Sequence, residues 1–260
     1  MFKNKSSRSL MVLVMLLALM SISCGMSSLP FLATETPTST ATFTPSPTLT
    51  PSSTPTLTPT AIPLPTGVQT EEQADGSTLF NDYDNKYQLV LPKEWVVIPF
   101  DQDELGVLVD ELSKDNPKFE DAAAAFKNLD PDVFRLVALN QDKKYFESGA
   151  VPNVNITAIE NDVLSAMPLS FVVGALEESF KQGGTKVVSE GVNTIDNLNG
   201  VEIEYLDIEQ EANGLKIAQR LLVFQSNGKL ILVTLTAPVD FKADVFASGD
   251  LIGASIELFK

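Results

Sequence analysis

The stretch Gly200–Pro238, GVEIEYLDIEQEANGLKIAQRLLVFQSNGKLILVTLTAP, decides the fold of this chain. It contains three largely apolar runs, which are separated by Asn213-Gly214 and by Asn227-Gly228. An Asn-Gly pair accepts the positive φ angles of the type I′ turn, which joins two antiparallel strands through two residues. The stretch therefore predicts a meander of three antiparallel strands.

Two-residue turns also fix the register in which the three strands pair. Positions 206, 221 and 234 then lie side by side, and so do positions 205, 222 and 233. One face carries Val201, Ile203, Tyr205, Leu222, Phe224, Ile231, Val233 and Leu235, and the other carries Leu206, Ile208, Leu221, Val223, Leu230 and Leu232. A sheet with one face in water alternates apolar and polar residues, so this sheet should be covered on both faces by helices. We therefore predict an α+β fold, a three-layer α/β/α sandwich around a mostly antiparallel sheet.

The same register gives the positions of the polar residues in the meander. Asp207 lies directly opposite Arg220, and because such a cross-strand ion pair contributes roughly 0.2–1 kcal/mol, we interpret it as structural. Glu202 and Glu204 lie at one end of the second face. Glycosidase carboxylates would need a sugar cleft with aromatic walls, and the chain has one tryptophan. We interpret Glu202 and Glu204 as the polar fringe of the sheet and retain them as a candidate binding surface.

Further strands and helices are predicted around the meander. Tyr87, Leu89 and Leu91 alternate as in a half-buried strand, and the apolar residues at 105, 108, 109 and 112 lie on one face of a helix. The segment 168–182 predicts a helix that begins at a proline and ends at Gly183-Gly184. Other predicted elements are a short strand at 95–98, an alanine-rich helix at 119–129, strands at 133–140 and 153–159, and a last helix through Phe246, which Gly249 could interrupt.

The order of these elements resembles the PsbP-like (Mog-type) sandwich found in bacterial lipoproteins. Tyr87–Trp95, YQLVLPKEW, is similar to the motif that opens that domain, with Glu94 in the place of the usual glycine. Ile231–Pro238, ILVTLTAP, is similar to its last strand, and ASIELF at 254–259 is similar to its closing segment. The resemblance covers Leu79–Lys260. It implies a non-enzymatic domain, because relatives serve as a photosystem assembly subunit, as a binder of a small GTPase and as envelope lipoproteins.

Residues 1–23 predict a lipoprotein signal peptide. Three basic residues precede the apolar run Leu10–Met20, which is too short to span a membrane. Small residues and then Cys24 follow, which resembles the lipobox of bacterial lipoproteins, with Ser21 where leucine is usual. In that motif the cysteine thiol receives a diacylglycerol and becomes the first residue of the mature chain. We therefore expect lipidation of Cys24; a simple secretory cleavage beside an incidental cysteine is the alternative.

Residues 24–78 are predicted to form a disordered stalk. From Ala33 to Thr66 the chain has 13 Thr, 8 Pro and 4 Ser in 34 residues, without helix or strand spacing of its few apolar residues. Such a segment cannot bury enough apolar surface to offset the entropy of ordering. At roughly 3.1 Å per residue it would reach on the order of 100 Å when fully extended. It is either a flexible tail or a stalk, which could be O-glycosylated on its threonines.

The charge of the chain limits its partners. The chain has 18 Lys and Arg against 34 Asp and Glu, a formal net charge of −16. Removal of the signal peptide takes away three positive charges and no negative one, so the mature chain carries −19. This charge excludes a nucleic-acid partner and opposes broad contact with anionic lipid heads. A solvated surface that keeps the head soluble is the simplest explanation, and attraction of cations or of a basic partner is the functional one.

Residues that could carry catalysis or bind a metal are few. The chain has no histidine, which excludes Ser-His-Asp and Cys-His catalysis and histidine-ligated zinc. The single cysteine excludes a disulfide within the chain and a multi-cysteine metal site. Two acidic clusters, Asp82 with Asp84 and Asp101 with Asp103 and Glu104, could offer oxygen ligands to Ca²⁺, although neither keeps the EF-hand pattern. We expect solvated carboxylates at the first cluster and a helix start at the second.

These patterns predict a membrane-tethered extracytoplasmic lipoprotein whose head is a non-catalytic protein-interaction or accessory module. It would be anchored to the outer face of the cytoplasmic membrane or to the outer membrane. The alternative is a lipoprotein that binds a small ligand or Ca²⁺, which a pocket between the sheet and the helix at 168–182 would favour. An enzyme is the least favoured class. We expect no cofactor besides the lipid on Cys24 and, besides the membrane, a protein partner.

Overall fold

The computed structural model describes residues 65–115, 133–147, 151–189, 193–212 and 214–259. Three predictions lie outside these ranges: the signal peptide together with Cys24, the stalk as far as residue 64, and the alanine-rich helix at 119–129. The predicted meander lies within them, apart from Asn213. The fold and the surfaces described below are therefore those of residues 65–259, apart from the gaps in these ranges.

The described residues form short strands and helices in mixed order. The strands are β1 (Val68–Glu72), β2 (Thr78–Asp82), β3 (Tyr87–Leu91), β4 (Trp95–Val97), β5 (Phe134–Asn140), β6 (Asn153–Ile159), β7 (Lys186–Val187), β8 (Asn193–Thr194), β9 (Glu204–Ala212), β10 (Leu215–Ser226), β11 (Lys229–Pro238) and β12 (Glu257–Leu258). The α-helices are α1 (Gln102–Asp115), α2 (Lys143–Glu147), α3 (Asp162–Ser165), α4 (Leu169–Gln182) and α5 (Lys242–Ser255). None of the helices in the described ranges combines the length and the apolar character that crossing a bilayer requires.

The larger of the two sheets that these ranges contain is antiparallel and has the meander in its interior. Its strands lie in the order β4-β5-β6-β11-β10-β9-β7, and β8 pairs with the start of β9. Position 221 pairs with 206 and 234, and position 222 pairs with 205 and 233, so the predicted register is confirmed. The turn between β10 and β11 has φ 49° at Asn227 and 71° at Gly228, as a type I′ turn requires.

Each face of this sheet packs against its own set of elements. On one face α4 and β9–β11 bury Leu169, Val172, Val173, Phe180, Leu206, Ile208, Leu221 and Val223. On the same face α1 packs against β5 through Leu105, Val109, Val137 and Leu139. The opposite face contacts α5 and β3, burying Tyr87, Leu89, Leu91, Leu222, Phe224, Val233, Val245 and Ile252. The α+β sandwich predicted from the two apolar faces is confirmed.

A second sheet, which the sequence did not predict, shares the outer layer with α5. Its strands lie in the order β1-β2-β3-β12 and pair antiparallel. After β3 ends, Pro92 interrupts the pairing and the chain crosses to the large sheet at β4. The prediction of helices alone on both faces is therefore incomplete, since one layer is part helix and part sheet.

The folded head begins earlier than the predicted boundary at Leu79. β1 occupies Val68–Glu72, inside the segment that was predicted to be stalk, and it is exposed at every position. Its sequence, VQTEE, has no apolar alternation by which a strand could be recognised. The strand is held by its pairing with β2 and by the Gly67 amide, which donates to Asp84 Oδ1 at 2.8 Å. β1 is therefore held in position by hydrogen bonds rather than by burial of its side chains.

Gly249 does not interrupt the last helix, so the predicted break there is wrong. α5 passes through Gly249, where an added Cβ would lie 3.2 Å from both Leu235 methyl carbons. At Gly253 an added Cβ would lie only 2.7 Å from Ile195 Cδ1. These glycines let the helix backbone approach its neighbours closely, which explains their place in a helix that they would otherwise weaken.

Gly253→Ala should destabilise the head because the new methyl group overlaps Ile195. We expect the free energy of unfolding, measured by chemical denaturation, to fall by about 1–3 kcal/mol. Gly174→Ala is the matched control, since an added Cβ in the middle of α4 meets nothing within 4 Å. That control should gain about 0.4–1 kcal/mol. Ile195→Val should recover part of the loss in the Gly253→Ala background, and an unchanged stability of Gly253→Ala alone would contradict the packing described.

Candidate functional site

A cleft of about 600 Å³ lies between the small sheet and the β4–β5 edge of the large sheet, beside α1. This volume is within the range of small-molecule sites. Apolar and polar surface contribute about equally to the walls, and the apolar part comes from residues such as Val68, Phe80, Phe100, Leu108, Phe134 and Leu136. The sequence had pointed to the space between the sheet and the helix at 168–182, now α4. The cleft lies elsewhere, because the unpredicted small sheet forms one of its walls.

Arg135 lines this cleft and joins the two sheets. Its Nε donates to Asp82 Oδ2 and its Nη2 to Asp82 Oδ1, both at 2.9 Å, and Nη2 also donates to Asp84 Oδ2 at 2.9 Å. The Asp82 side chain is completely buried, whereas the Asp84 side chain remains 46% exposed. A two-pronged pairing of this kind is stronger and more directional than a single hydrogen bond.

A β-bulge directs Arg135 towards the small sheet. The pairing of β5 with β6 shifts between Phe134, which pairs with Thr157, and Leu136, which pairs with Ile156. Arg135 is the extra residue, and a bulge breaks the strict alternation of side chains along a strand. Arg135 and Leu136 therefore both face the small sheet, where Arg135 meets Asp82 and Leu136 packs in the same core as Phe80.

The electrostatics of the cluster follow from these contacts. The hydrogen bonds to Asp82 raise the pKa of Arg135, which therefore remains a cation. The hydrogen bond from the Gly67 amide, followed by that from Arg135, lowers the pKa of Asp84. Burial, and then the negative charge of Asp82 directly opposite, raise the pKa of the Tyr87 phenol well above its usual value. Arg135 and Asp84 thus keep their charges at neutral pH.

The lining of the cleft is acidic overall despite Arg135. The charged lining residues are Arg135 and two carboxylates, those of Asp84 and of exposed Glu104 of α1, and buried Asp82 pairs with the guanidinium behind the wall. Apolar walls with an acidic rim suit a ligand that has an apolar part and a positive charge.

Glu204 is not the polar fringe that the sequence predicted. It is 2% exposed, and its Oε2 has no hydrogen-bond partner. Glu202, two residues earlier, is exposed. Burial, and then repulsion by Glu202, raise the pKa of Glu204 above 4.5. The two carboxylates thus form no exposed pair, and Glu204 is a buried acid beside the core under α4.

Asp207 and Arg220 form the predicted pair, but within a larger cluster. Arg220 Nε and Nη2 donate to the two Asp207 oxygens, each at 2.8 Å, and Nη1 donates to Asp250 Oδ1 of α5 at 2.6 Å. The guanidinium also lies between two aromatic rings, 4.3 Å from the centroid of Tyr205 and 4.6 Å from that of Phe246. All three nitrogens are engaged, which fits the structural interpretation.

The acidic clusters considered for Ca²⁺ make protein contacts. Asp101 Oδ1 accepts hydrogen bonds from the amides of Asp103 and Glu104 at 3.0 Å, so it caps the start of α1 as a helix start should. Asp82 and Asp84 bind Arg135, and Asp82 Oδ2 also accepts from the side-chain amide of Asn85 at 2.6 Å. Among the residues described, no three His, Cys, Asp or Glu side chains come together as a metal site would require.

Sequence reasoning missed Arg135. One signal was present, because only two arginines follow residue 23 and both lie within apolar strand runs. An arginine in such a run needs a buried partner. Its partners could not be named from the sequence, since Asp82 at the end of β2 and Asp84 in the following turn lie 53 and 51 residues earlier in the chain.

Comparisons with known proteins concern the fold. No family model matches the sequence, and no curated protein matches it either. The solution structure of cyanobacterial PsbP (CyanoP) from Synechocystis sp. PCC 6803 is similar with a TM-score of 0.45 at 13% identity, over 72% of this chain and 95% of that one. LpqN, involved in cell envelope biogenesis of Mycobacterium tuberculosis, is similar with a TM-score of 0.39 at 12% identity, over 74% of this chain and 91% of that one. A PsbP domain is thus among the structures that resemble this chain, and at this identity the likeness carries nothing about function.

Glu204→Gln should stabilise the head at neutral pH. Because the pKa of Glu204 is raised in the folded state, ionisation of this carboxyl lowers the free energy of unfolding. The loss grows as the pH rises from about 4.5 through the pKa that Glu204 has in the folded protein. We expect the variant to gain on the order of 1 kcal/mol at pH 7 and nothing below about pH 4, measured by denaturation at each pH. Exposed Glu202→Gln is the control and should change stability by less than about 0.5 kcal/mol. A pH-independent gain would contradict the assignment.

Proposed function

We propose that this chain is a membrane-tethered extracytoplasmic lipoprotein whose head is a non-catalytic accessory module that binds another protein. The observation that carries the proposal is the cleft between the small sheet and the β4–β5 edge. It offers apolar walls and fixed charges at one place on the head. Concave apolar surfaces with a few convergent polar groups are the usual form of binding sites.

The chemistry of the cleft supports binding rather than catalysis. The chain has no histidine, and its single cysteine lies at position 24, outside the head. Arg135 and Asp82 are held in a bidentate pair, so neither is available as an acid or a base. Tyr87 has a pKa well above its usual value, which opposes a role as a base near neutral pH.

The anchor and the stalk give the proposed module its place. A lipid on Cys24 would hold it at the outer face of the cytoplasmic membrane or at the outer membrane, and two or three acyl chains would make the attachment stable. The Thr- and Pro-rich segment would then provide reach between membrane and head. A partner in the envelope, rather than nucleic acid, fits the acidic charge.

A small cationic ligand in the same cleft is the second candidate, whereas Ca²⁺, which the sequence also allowed, finds no group of three acidic side chains among the described residues. The volume of about 600 Å³ favours such a ligand, since a drug-sized molecule would fit. The acidic lining would favour a cationic ligand. In this case the head would be a solute-binding module on the same anchor.

Metabolic labelling with radioactive palmitate should mark the wild-type chain and leave Cys24→Ala unlabelled, because that thiol is the only one in the chain. The mature protein should begin at a modified Cys24 in mass spectrometry. A mature chain with an unmodified cysteine, or one cut at another position, would refute the lipoprotein assignment.

Photo-crosslinking in native membranes should locate the partner at the cleft. A benzophenone amino acid at Phe100 or Leu108, both in the lining, should give a discrete crosslinked protein. The same probe at Phe171 is the control, since that side chain is 70% exposed on α4. Equal crosslinking at all three positions, or none, would contradict a protein-binding cleft. A rise in Tm with a small cationic ligand would then favour the second candidate.

A further inference from the structure

β1 is an edge strand whose outward backbone groups can be identified. Gly67 O accepts from the Tyr83 amide and the Gln73 amide donates to Ser77 O, and both bonds join register partners. In an antiparallel ladder, hydrogen-bonded pairs alternate with pairs that point away from each other. Odd-numbered residues of β1 therefore bond to β2. The backbone N–H and C=O groups of Val68, Thr70 and Glu72 point away from the sheet.

The other edge of the small sheet is formed by β12, a strand of two residues. β12 pairs with β3 through Gln88 and Tyr87, and the Val90 amide donates to Ser255 Oγ at 2.9 Å. On β1 no further strand pairs within the described ranges, and all five residues are exposed. An open edge of this length is a template for strand addition unless something occupies it.

The open edge adjoins the cleft. Val68 and Thr70 line the cleft, and their partners across the ladder, Asp82 and Phe80, are completely buried, so this side of β1 faces inward. A strand added beside β1 would place every second side chain on that same face, next to Val68 and Thr70. Backbone pairing and side-chain burial would therefore occur in one event.

Charge selects the kind of strand. Glu71 and Glu72 lie on β1, and Asp84 and Glu104 lie in the cleft lining. A second copy of this chain would bring another strongly negative surface to the edge, and like charges oppose pairing. An extended segment that alternates apolar and basic residues is complementary to β1, because its apolar side chains would face the cleft walls and its basic ones would face Glu71 on the opposite side of the strand.

We propose that β1 binds its partner by strand addition, and that the partner segment is an extended peptide with alternating apolar and basic side chains. The apolar side chains enter the cleft beside Val68 and Thr70, while the basic ones lie on the opposite face of β1, next to Glu71. This inference rests on the proposed function and specifies how the head would recognise a protein. Main-chain hydrogen bonds supply affinity in such complexes, and the cleft supplies selectivity.

The chain's own Thr- and Pro-rich segment is a poor competitor for this edge. It contains 8 prolines between Ala33 and Thr66, and proline has no N–H to donate to a ladder. Its sequence also carries no basic residue.

Thr70→Pro in the full-length protein tests the edge directly. The proline removes an N–H that faces outward, so the β1–β2 ladder keeps its bonds, and Thr70→Ala is the matched control that keeps the N–H. The probe is a capped peptide of alternating lysine and valine, as long as β1. We expect Thr70→Pro to weaken its binding by about tenfold and Thr70→Ala by less than about twofold. Equal binding by the two variants, with both folded by circular dichroism, would overturn the proposal.

Two modified peptides and a hydrogen-exchange measurement test strand addition without the Thr70→Pro variant. The same peptide with N-methylated backbone at alternate residues cannot donate to β1 and should lose binding, as should a peptide with glutamate in place of lysine. Amide hydrogen exchange should slow at Val68, Thr70 and Glu72 when the lysine–valine peptide is added. Retained binding of the N-methylated peptide, or no protection at those amides, would refute strand addition.

Failure here can be distinguished from failure of the proposed function. If Thr70→Pro leaves the crosslink at Phe100 in native membranes intact, the cleft binds a protein by another mode and strand addition is wrong. If no crosslink forms at the cleft in the wild-type protein, the protein-binding function itself fails.

Discussion

The burial of one meander on both of its faces is the constraint on which the rest of this structure depends. β9, β10 and β11 carry apolar side chains above and below the sheet, and each fully buried Val, Leu, Ile or Phe contributes about 1.5–3 kcal/mol relative to exposure. Such a sheet cannot stand with one face in water. The chain therefore has to supply two covering layers, and the positions of α4, α1, α5 and the small sheet follow from that need.

Two arginines link these layers at points where apolar packing alone does not fix how one layer is oriented on the next. Arg220 ties β9 and β10 to α5 through Asp207 and Asp250, and Arg135 ties β5 to the small sheet through Asp82. A buried ion pair adds little over a well-packed apolar substitute, but loss of one partner costs about 3–5 kcal/mol. The pairs therefore contribute most by fixing one arrangement of the layers. Apolar contacts alone would allow several arrangements.

The cleft is a consequence of how the small sheet is placed. β2 and β3 pack on the core, but β1 extends past it and is exposed at every position. The bulge at Arg135 brings a charged side chain to the edge of the apolar wall that Phe80 and Leu136 form. Apolar surface, fixed charges and an open strand edge thus meet at one place, although each comes from a different part of the chain.

The sequence by itself determined the central meander, its register and its two apolar faces, because Asn-Gly turns and side-chain alternation are local signals. It also determined the Asp207–Arg220 contact, which depends only on that register. The tertiary structure decided the features that side-chain alternation in the sequence does not encode. β1 is held by backbone bonds without an apolar pattern, Arg135 departs from alternation at a bulge, Glu204 is buried by elements that pack over it, and Gly249 stays within a helix because Leu235 lies against it. These features depend on contacts between residues far apart in the chain. Two of them, β1 and the bulge at Arg135, form part of the cleft, so the cleft could be found only in the folded molecule.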